Sequence, residues 1–139
     1  HQLALRLESG AKRYTAGESV RFVIGERSGQ HLTLINLASG GVLNYLYPFE
    51  EEPLGAAAQG EWTFPPMNAP ALAVAPPYGA DHFMAITSQL PHTALRQRLR
   101  ALDGKPVATE LPQLLAEFFQ NQPKDSYAMG LVGLFTAER

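Results

Sequence analysis

The chain has 139 residues, 45% of them hydrophobic and 17% charged, a composition typical of one globular domain rather than a disordered segment. Its 11 Lys and Arg residues stand against 13 Asp and Glu, and the net charge of -2 provides no positive field to attract nucleic acid. The absence of cysteine excludes disulfides, thiol nucleophiles and cysteine-bound metals. We therefore expect a single domain over residues 1–139 that has no nucleic-acid partner. No run approaches the ~18 apolar residues that cross a bilayer, so we also expect no membrane insertion by this segment.

The first part of the chain has the pattern of short β-strands. Leucines alternate with other residues over 3–7, and the apolar side chains over 20–24 share one face, both with the period of two of a half-buried strand. Residues 31–37 and 42–47 predict two further strands. The Ala-Ser-Gly-Gly segment at 38–41 supplies the positive φ angles of a tight turn, so these two strands are predicted to form a hairpin.

Beyond this hairpin the chain becomes rich in proline and acidic residues. Pro48 ends the strand pairing because it has no N–H to donate. The stretch 49–59, which contains Glu50 and Glu51, is predicted to be an exposed acidic loop. Further strands are predicted at 61–64, 71–75 and 81–88.

The hydrophobic period changes from two to that of a helix after residue 91. Leucines recur at helical spacing over 95–102, and a second apolar stripe runs over 110–121. Thr93 and Thr109 are predicted as the N-caps of these two helices. The helical insertion therefore spans about 93–121.

The last segment, residues 127–136, is apolar on both faces, which predicts a central strand that is covered on both sides. Together these elements predict a mainly β fold. Its expected form is an immunoglobulin-like two-layer β-sandwich of about seven to eight strands, with two helices inserted before the last strand.

Several short strings in this order resemble a known family. They are Tyr14-x-x-Gly17-Glu18-x-Val20-x-Phe22, Leu32-x-Leu34-x-Asn36, Leu46-Tyr47-Pro48, Pro76-Pro77-Tyr78-Gly79-x-Asp81 and Ile86-Thr87-Ser88. The pattern is similar to an uncharacterised bacterial domain-of-unknown-function family found C-terminal to caspase-like peptidases, protein kinases and envelope lipoproteins. The resemblance implies an accessory domain of a larger bacterial protein, without catalytic residues, located in the periplasm or cell envelope, with the cytoplasm as the alternative.

Few side chains offer a catalytic or metal-binding pattern. Ser88, His92 and Asp81 lie close in sequence and could form a nucleophile, base and acid, which makes a small serine hydrolase the alternative function. However, no Gly-x-Ser-x-Gly turn surrounds Ser88. His31 and His82 join His92 and Asp81 as possible metal ligands, but none falls at a recognised ligand spacing. We therefore expect a protein that is not an enzyme and needs no metal or cofactor.

The remaining candidates are residues that could contact a partner. Trp62 could form an aromatic platform for sugars, so a carbohydrate-binding module is a further alternative. Arg96 and Arg100 on the first predicted helix could dock an acidic partner. The function predicted from the sequence is recognition or regulation, with a protein partner or an attached catalytic domain of the same polypeptide. The residues predicted to bind are Glu50, Glu51, Trp62, Tyr78, Asp81, Arg96 and Arg100.

Overall fold

The computed structural model describes residues 4–25, 31–48, 62–65, 72–76, 78–89, 92–107, 109–123 and 126–139. Ten strands and two helices lie in these residues. In chain order they are β1 Leu5–Leu7, β2 Arg13–Thr15, β3 Ser19–Val20, β4 Phe22–Ile24, β5 His31–Leu37, β6 Leu43–Tyr47, β7 Trp62–Phe64, β8 Leu72–Ala73, β9 Gly79–Ser88, α1 Thr93–Ala101, α2 Glu110–Gln120 and β10 Tyr127–Ala137.

The described strands form three sheets. The largest has five strands in the order β2-β10-β9-β5-β6, and β2 and β10 are its one parallel pair. A three-stranded sheet has the order β1-β4-β7, and β3 pairs with β8 in a two-stranded sheet. The long strands β9 and β10 form the middle of the large sheet, so residues far apart in sequence meet on its faces.

The five-stranded sheet has two differently covered faces. On what we call its outer face, Ile35 and Ile86 pack against Leu95 and Leu99 of α1 and Leu115 of α2. On the opposite side, the inner face, side chains of β5, β9 and β10 pack against the two smaller sheets. The fold is therefore mainly β with two helices before the last strand, as the sequence predicts. Both helices are short, and the described residues include no helix that is long and apolar enough to span a membrane.

The predicted hairpin is present. The strands β5 and β6 are antiparallel, and Gly40 and Gly41 both have positive φ angles, 89° and 82°. The turn is closed by a hydrogen bond from the Ala38 N–H to the Val42 carbonyl at 2.8 Å. The outer edge of β6 is covered as well, because the Asp103 carboxylate accepts the Tyr45 N–H at 2.8 Å. That covered edge removes one site where an extended peptide could have paired with the sheet.

The sequence pattern was wrong about continuity in the N-terminal strands. The predicted strand over 20–24 is broken at Arg21: β3 pairs with β8, whereas β4 pairs with β1 and β7. The Arg21 side chain donates from Nη1 to the Pro65 carbonyl at 2.7 Å, and Arg21 itself belongs to neither the β3–β8 pairing nor the β4–β7 pairing. The short strand β2 was not predicted at all. Such two- and three-residue strands raise the number from the expected seven or eight to ten among the described residues.

Two local predictions also need correction. Thr93 is the first helical residue, and His92 occupies the N-cap; in the described residues neither helix has a side-chain hydrogen bond at its N-cap. The last strand is covered on both sides only near its start, where Met129 packs under the helices. Further along, Leu131 and Phe135 are 58% and 61% exposed on the outer face, because α1 and α2 do not extend over them.

One buried polar atom on β9 leads to a stability prediction. Thr87 is fully buried, and among the described residues its Oγ1 is the buried side-chain polar atom that lacks a hydrogen-bond partner. Burying an unpaired hydroxyl is unfavourable, so Thr87→Val should raise the free energy of unfolding by about 1 kcal/mol. Urea denaturation measures the change.

Thr33 provides the matched control for this prediction. It is equally well buried, but its Oγ1 accepts a hydrogen bond from Arg96 Nε at 3.0 Å. Thr33→Val should therefore destabilise the protein by about 1 kcal/mol. Equal effects of the two substitutions would show that the missing partner of Thr87 has no energetic consequence.

Candidate functional site

The two arginines predicted to bind a partner both contact the domain itself. Arg96 reaches from α1 to β5, where its Nη2 donates to the Leu32 carbonyl at 2.8 Å and its Nε donates to Thr33. The Arg100 guanidinium carbon lies 5.8 Å from the centre of the Tyr45 ring, a cation–π arrangement. Arg96 thus helps to attach the helix to the sheet, whereas Arg100 remains exposed.

The predicted aromatic site residues are partly buried. The Trp62 ring packs against Tyr47, with ring centres 5.2 Å apart, and against Phe64 at 6.0 Å. Tyr78 packs against the core between β1, β4 and β10. Part of each ring is therefore used for packing within the domain. Glu50 and Glu51 lie outside the described residues.

The proposed hydrolase residues do not converge. Asp81 and Ser88 lie seven residues apart on β9, which is about 23 Å in an extended strand, and they point to opposite faces. Ser88 is buried at the end of β9, and the His92 ring packs edge-on against Phe118 with centres 4.5 Å apart. A triad needs all three groups within hydrogen-bond reach, and this arrangement separates its acid from its nucleophile.

His92 has a perturbed titration for a structural reason. Its pKa is lowered mainly by burial, and the positive charges of Arg96 and His31 lower it further. The lowered pKa favours the neutral form of His92. Among the described residues, no three His, Cys, Asp or Glu side chains are grouped closely enough to hold a metal ion.

The side chains that do converge lie at one end of the inner face. Four neighbouring strands each contribute one polar residue there: Asn36 from β5, Asn44 from β6, Asp81 from β9 and Thr136 from β10. The strand register brings them together, because Asn36 pairs with Asn44 and Thr136 pairs with Gly79, two residues before Asp81. Of the predicted binding residues, Asp81 is thus placed among polar groups that sequence spacing did not connect.

These four residues line a cavity of about 240 Å³, which we call the inner-face cavity. Its floor is the five-stranded sheet, and its roof is the two-stranded sheet with the segment that follows β8. Apart from the polar four, the lining is mostly apolar and consists of Val20, Ala38, Leu46, Leu72, Ala73, Val74, Ala75, Pro76, Phe83 and Leu134. A concave apolar space with a few convergent polar groups is the usual form of a small-molecule binding site.

Hydrogen bonds hold the polar residues in place. Asn44 Nδ2 donates to Asn36 Oδ1 at 2.8 Å, and Asn36 Nδ2 donates to the His82 carbonyl at 3.2 Å. The Ser39 N–H donates to Asp81 Oδ1 at 2.9 Å, so Asp81 also caps the turn of the β5–β6 hairpin. Because each side chain is fixed by the backbone or by a neighbour, the polar end of the cavity is preorganised.

The Asp81 carboxyl carries an unfavourable charge in this position. Burial raises its pKa above the ordinary value of 3.8, and this effect exceeds the opposing influence of the Ser39 N–H and the nearby His82. The surrounding groups of the domain therefore do not fully compensate the Asp81 charge.

The raised pKa of Asp81 predicts a pH-dependent effect of Asp81→Asn. The stability that Asp81 contributes is fully present below its ordinary pKa and is lost as the pH rises through its folded-state pKa. Asn cannot ionise but can still accept the Ser39 N–H. At pH 7 the variant should therefore melt higher, by on the order of 1–2 °C, because solvent near this half-exposed group weakens the effect.

Thermal melts between pH 3 and pH 7 test this prediction. The advantage of Asp81→Asn should disappear towards pH 3, where the native carboxyl is protonated too. Glu8→Gln, which removes an exposed carboxylate on the surface, is the matched control and should not change the melting temperature in this way. A variant that melts lower than the native chain at pH 7 would contradict the role assigned to burial.

The sequence contained a signal for the residues that were missed. On β5, Leu32 and Leu34 point to the inner face, and Asn36 continues the same alternation with a polar side chain. On β10, Thr136 likewise follows the inward-facing Leu134. A polar residue in an apolar alternation marks a buried polar position, but the alternation cannot tell which strands are neighbours.

No protein-family model, no curated protein and no solved structure matches this chain. The functional interpretation of the inner-face cavity therefore rests on the chemistry of its lining.

Proposed function

We propose that this chain is a non-catalytic recognition domain that binds a small ligand in the inner-face cavity. The observation that carries the proposal is the convergence of Asn36, Asn44, Asp81 and Thr136 on an otherwise apolar hollow. A binding domain needs shape, apolar contact and a few oriented polar groups, and all three are found here. Catalysis would also need a nucleophile or an acid–base pair in the same hollow.

The proposed cellular context follows from the resemblance described above. According to this resemblance, the domain is an immunoglobulin-like accessory unit of a larger bacterial protein such as a kinase, peptidase or lipoprotein. That protein would be located in the periplasm or cell envelope. Its partner would be the attached catalytic domain or another protein. Ligand occupancy between two sheets could regulate that partner, because a ligand that bridges two layers stabilises their relative position.

The test uses a variant that fills the mouth of the cavity. Ala75 is exposed and lines the cavity, so Ala75→Phe should occlude it without disturbing the core. Ala94→Phe, at an exposed position on α1 over the opposite face, is the matched control. A panel of neutral, cationic and anionic compounds of five or six carbon atoms is screened by saturation-transfer NMR at pH 7. We expect at least one compound to bind the native chain and Ala94→Phe but not Ala75→Phe.

Three outcomes would contradict the proposed function. The native chain could bind no compound of the panel, or Ala75→Phe could bind the same compounds as the native chain. The third is turnover of p-nitrophenyl acetate that disappears in Ser88→Ala, because that result would establish the hydrolase alternative. Ser88 and His92 are not among the residues that line the cavity, so substitution of either one should leave ligand binding unchanged.

A further inference from the structure

The hydrogen bonds of the inner-face cavity leave some of its polar atoms without a partner among the described residues. Thr136 Oγ1 is already occupied, since it accepts the Gly79 N–H at 3.1 Å and donates to the Gly79 carbonyl at 3.3 Å. Asn36 uses its amide nitrogen and its amide oxygen within the domain. Among these four residues, Asn44 and Asp81 therefore each keep an oxygen that accepts no hydrogen bond, and each of the two asparagine NH₂ groups keeps one N–H.

The orientation of the Asn44 amide follows from its neighbour. A backbone carbonyl can only accept, so the group that Asn36 turns towards the His82 carbonyl must be its NH₂. The oxygen of Asn36 then faces Asn44, so Asn44 must donate to it from its own NH₂ group. This chain of bonds leaves Asn44 Oδ1 as an acceptor with no partner among the described residues.

Asp81 supplies a second acceptor and the charge. Its Oδ1 accepts the Ser39 N–H, and no described residue donates a hydrogen bond to its Oδ2. Asp81 is also the only ionisable side chain among the described residues that line the cavity. The polar end of the cavity thus carries one negative charge, on Asp81, and the unused groups of the two asparagine amides beside it are neutral.

From this arrangement we infer that the inner-face cavity selects an alkylammonium group, with its nitrogen donating to the Asp81 carboxylate and its carbon chain lying along Val74, Phe83 and Leu134. The inference rests on the proposed function and specifies its ligand. An ammonium group carries a positive charge and only donors, so it complements the charge and the unused oxygen of Asp81. A carboxylate or phosphate ligand would instead meet the Asp81 charge at close range and be repelled.

The electrostatics of Asp81 agree with this choice. Burial raises the pKa of its carboxyl, which means that the ionised form lacks sufficient partners in the free domain. A bound cation would supply such a partner through a charge-assisted hydrogen bond. No other ligand charge would relieve the same penalty.

The size of the cavity limits the ligand. At about 240 Å³ it is smaller than the ~300–1,000 Å³ that drug-sized ligands occupy. An unbranched amine of about five carbons, or the side chain of a lysine in a peptide, has the required apolar length and charged end. Both sources present the same chemistry.

The test compares three probes of equal length at pH 7: pentylammonium, pentanol and pentanoate. Binding is measured by titration of the ¹⁵N-labelled chain, with the Asn44 side-chain amide and the Ser39 backbone amide as reporters. We expect pentylammonium to bind at least tenfold more tightly than pentanol, and pentanoate to bind more weakly than either. Asp81→Asn should remove the preference for the cation, whereas Glu8→Gln should retain it.

The outcomes separate this inference from the proposed function. If pentanol or pentanoate binds as tightly as pentylammonium, and Ala75→Phe abolishes that binding, the cavity is a ligand site but the ammonium inference is wrong. If no probe shifts the reporter amides, both proposals fail. Retention of the tenfold preference in Asp81→Asn would also overturn the inference, because the charge would then act from elsewhere.

A fourth probe distinguishes the two sources of the group. Nα-acetyl-lysine methylamide carries the same alkylammonium chain on a peptide backbone. Binding as tight as that of pentylammonium would support the inference with a lysine side chain of a partner as the ligand. Binding of pentylammonium alone would support it with a free amine as the ligand.

Discussion

Leu99→Ala is expected to lower the free energy of unfolding by about 3 kcal/mol. Leu99 is completely buried and packs with Ile35, Leu43 and Ile86 between α1 and the outer face of the sheet. Removing most of its side chain loses the transfer free energy and leaves a cavity in a tightly packed layer. Urea denaturation followed by circular dichroism measures the change.

The control for this experiment is Gln97→Ala on the same helix. Gln97 is exposed, so its replacement should change stability by no more than about 0.5 kcal/mol. A similarly small effect of Leu99→Ala would mean that the helices are loosely attached and could be removed. The expected large effect would instead establish that the helical insertion is an integral layer of the domain.

Gly79→Ala is expected to destabilise the domain by about 2 kcal/mol through backbone strain and a steric contact. The φ angle of Gly79 is 138°, a backbone conformation that residues other than glycine rarely adopt. A Cβ at this position would also lie 2.5 Å from Ser39 Oγ. Because Ser39 donates its N–H to Asp81, the substitution should additionally weaken ligand binding in the inner-face cavity. Thermal denaturation and the pentylammonium titration measure the two effects.

Gly10→Ala separates the backbone contribution from the contact. Gly10 also has a positive φ, 77°, but a Cβ there would meet no atom within 4 Å. Its replacement should therefore cost only about 1 kcal/mol and leave ligand binding unchanged. If Gly79→Ala and Gly10→Ala have the same effect on stability and neither affects binding, the close approach of Gly79 to Ser39 has no role in the site.

Local patterns predicted the elements whose structure depends on near neighbours. The leucines of α1 form the apolar stripe by which that helix packs on the sheet, and the two glycines at 40 and 41 occur where a turn needs positive φ angles. In both cases residues a few positions apart determine the geometry, so a short window of sequence contains the necessary information.

Pairing between distant segments explains what the patterns did not predict. The break at Arg21 arises because β3 and β4 have different partners, β8 and β7, and an alternation of apolar residues does not record a change of partner. The exposure of Leu131 and Phe135 has a similar explanation. The apolar sequence of the last strand predicts that the strand is covered, but the sequence of that strand does not show how far the two helices extend over it. The candidate site was predicted only in part, through Asp81.

Sequence alone therefore determined the mainly β class, the hairpin and the two helices near the end of the chain. Only the tertiary structure decided that Asn36, Asn44, Asp81 and Thr136 share one cavity. The physical reason is that side-chain alternation is a property of one strand, whereas a binding site depends on which strands are neighbours and on their register. Four polar residues that each look isolated in sequence become one site when their strands align.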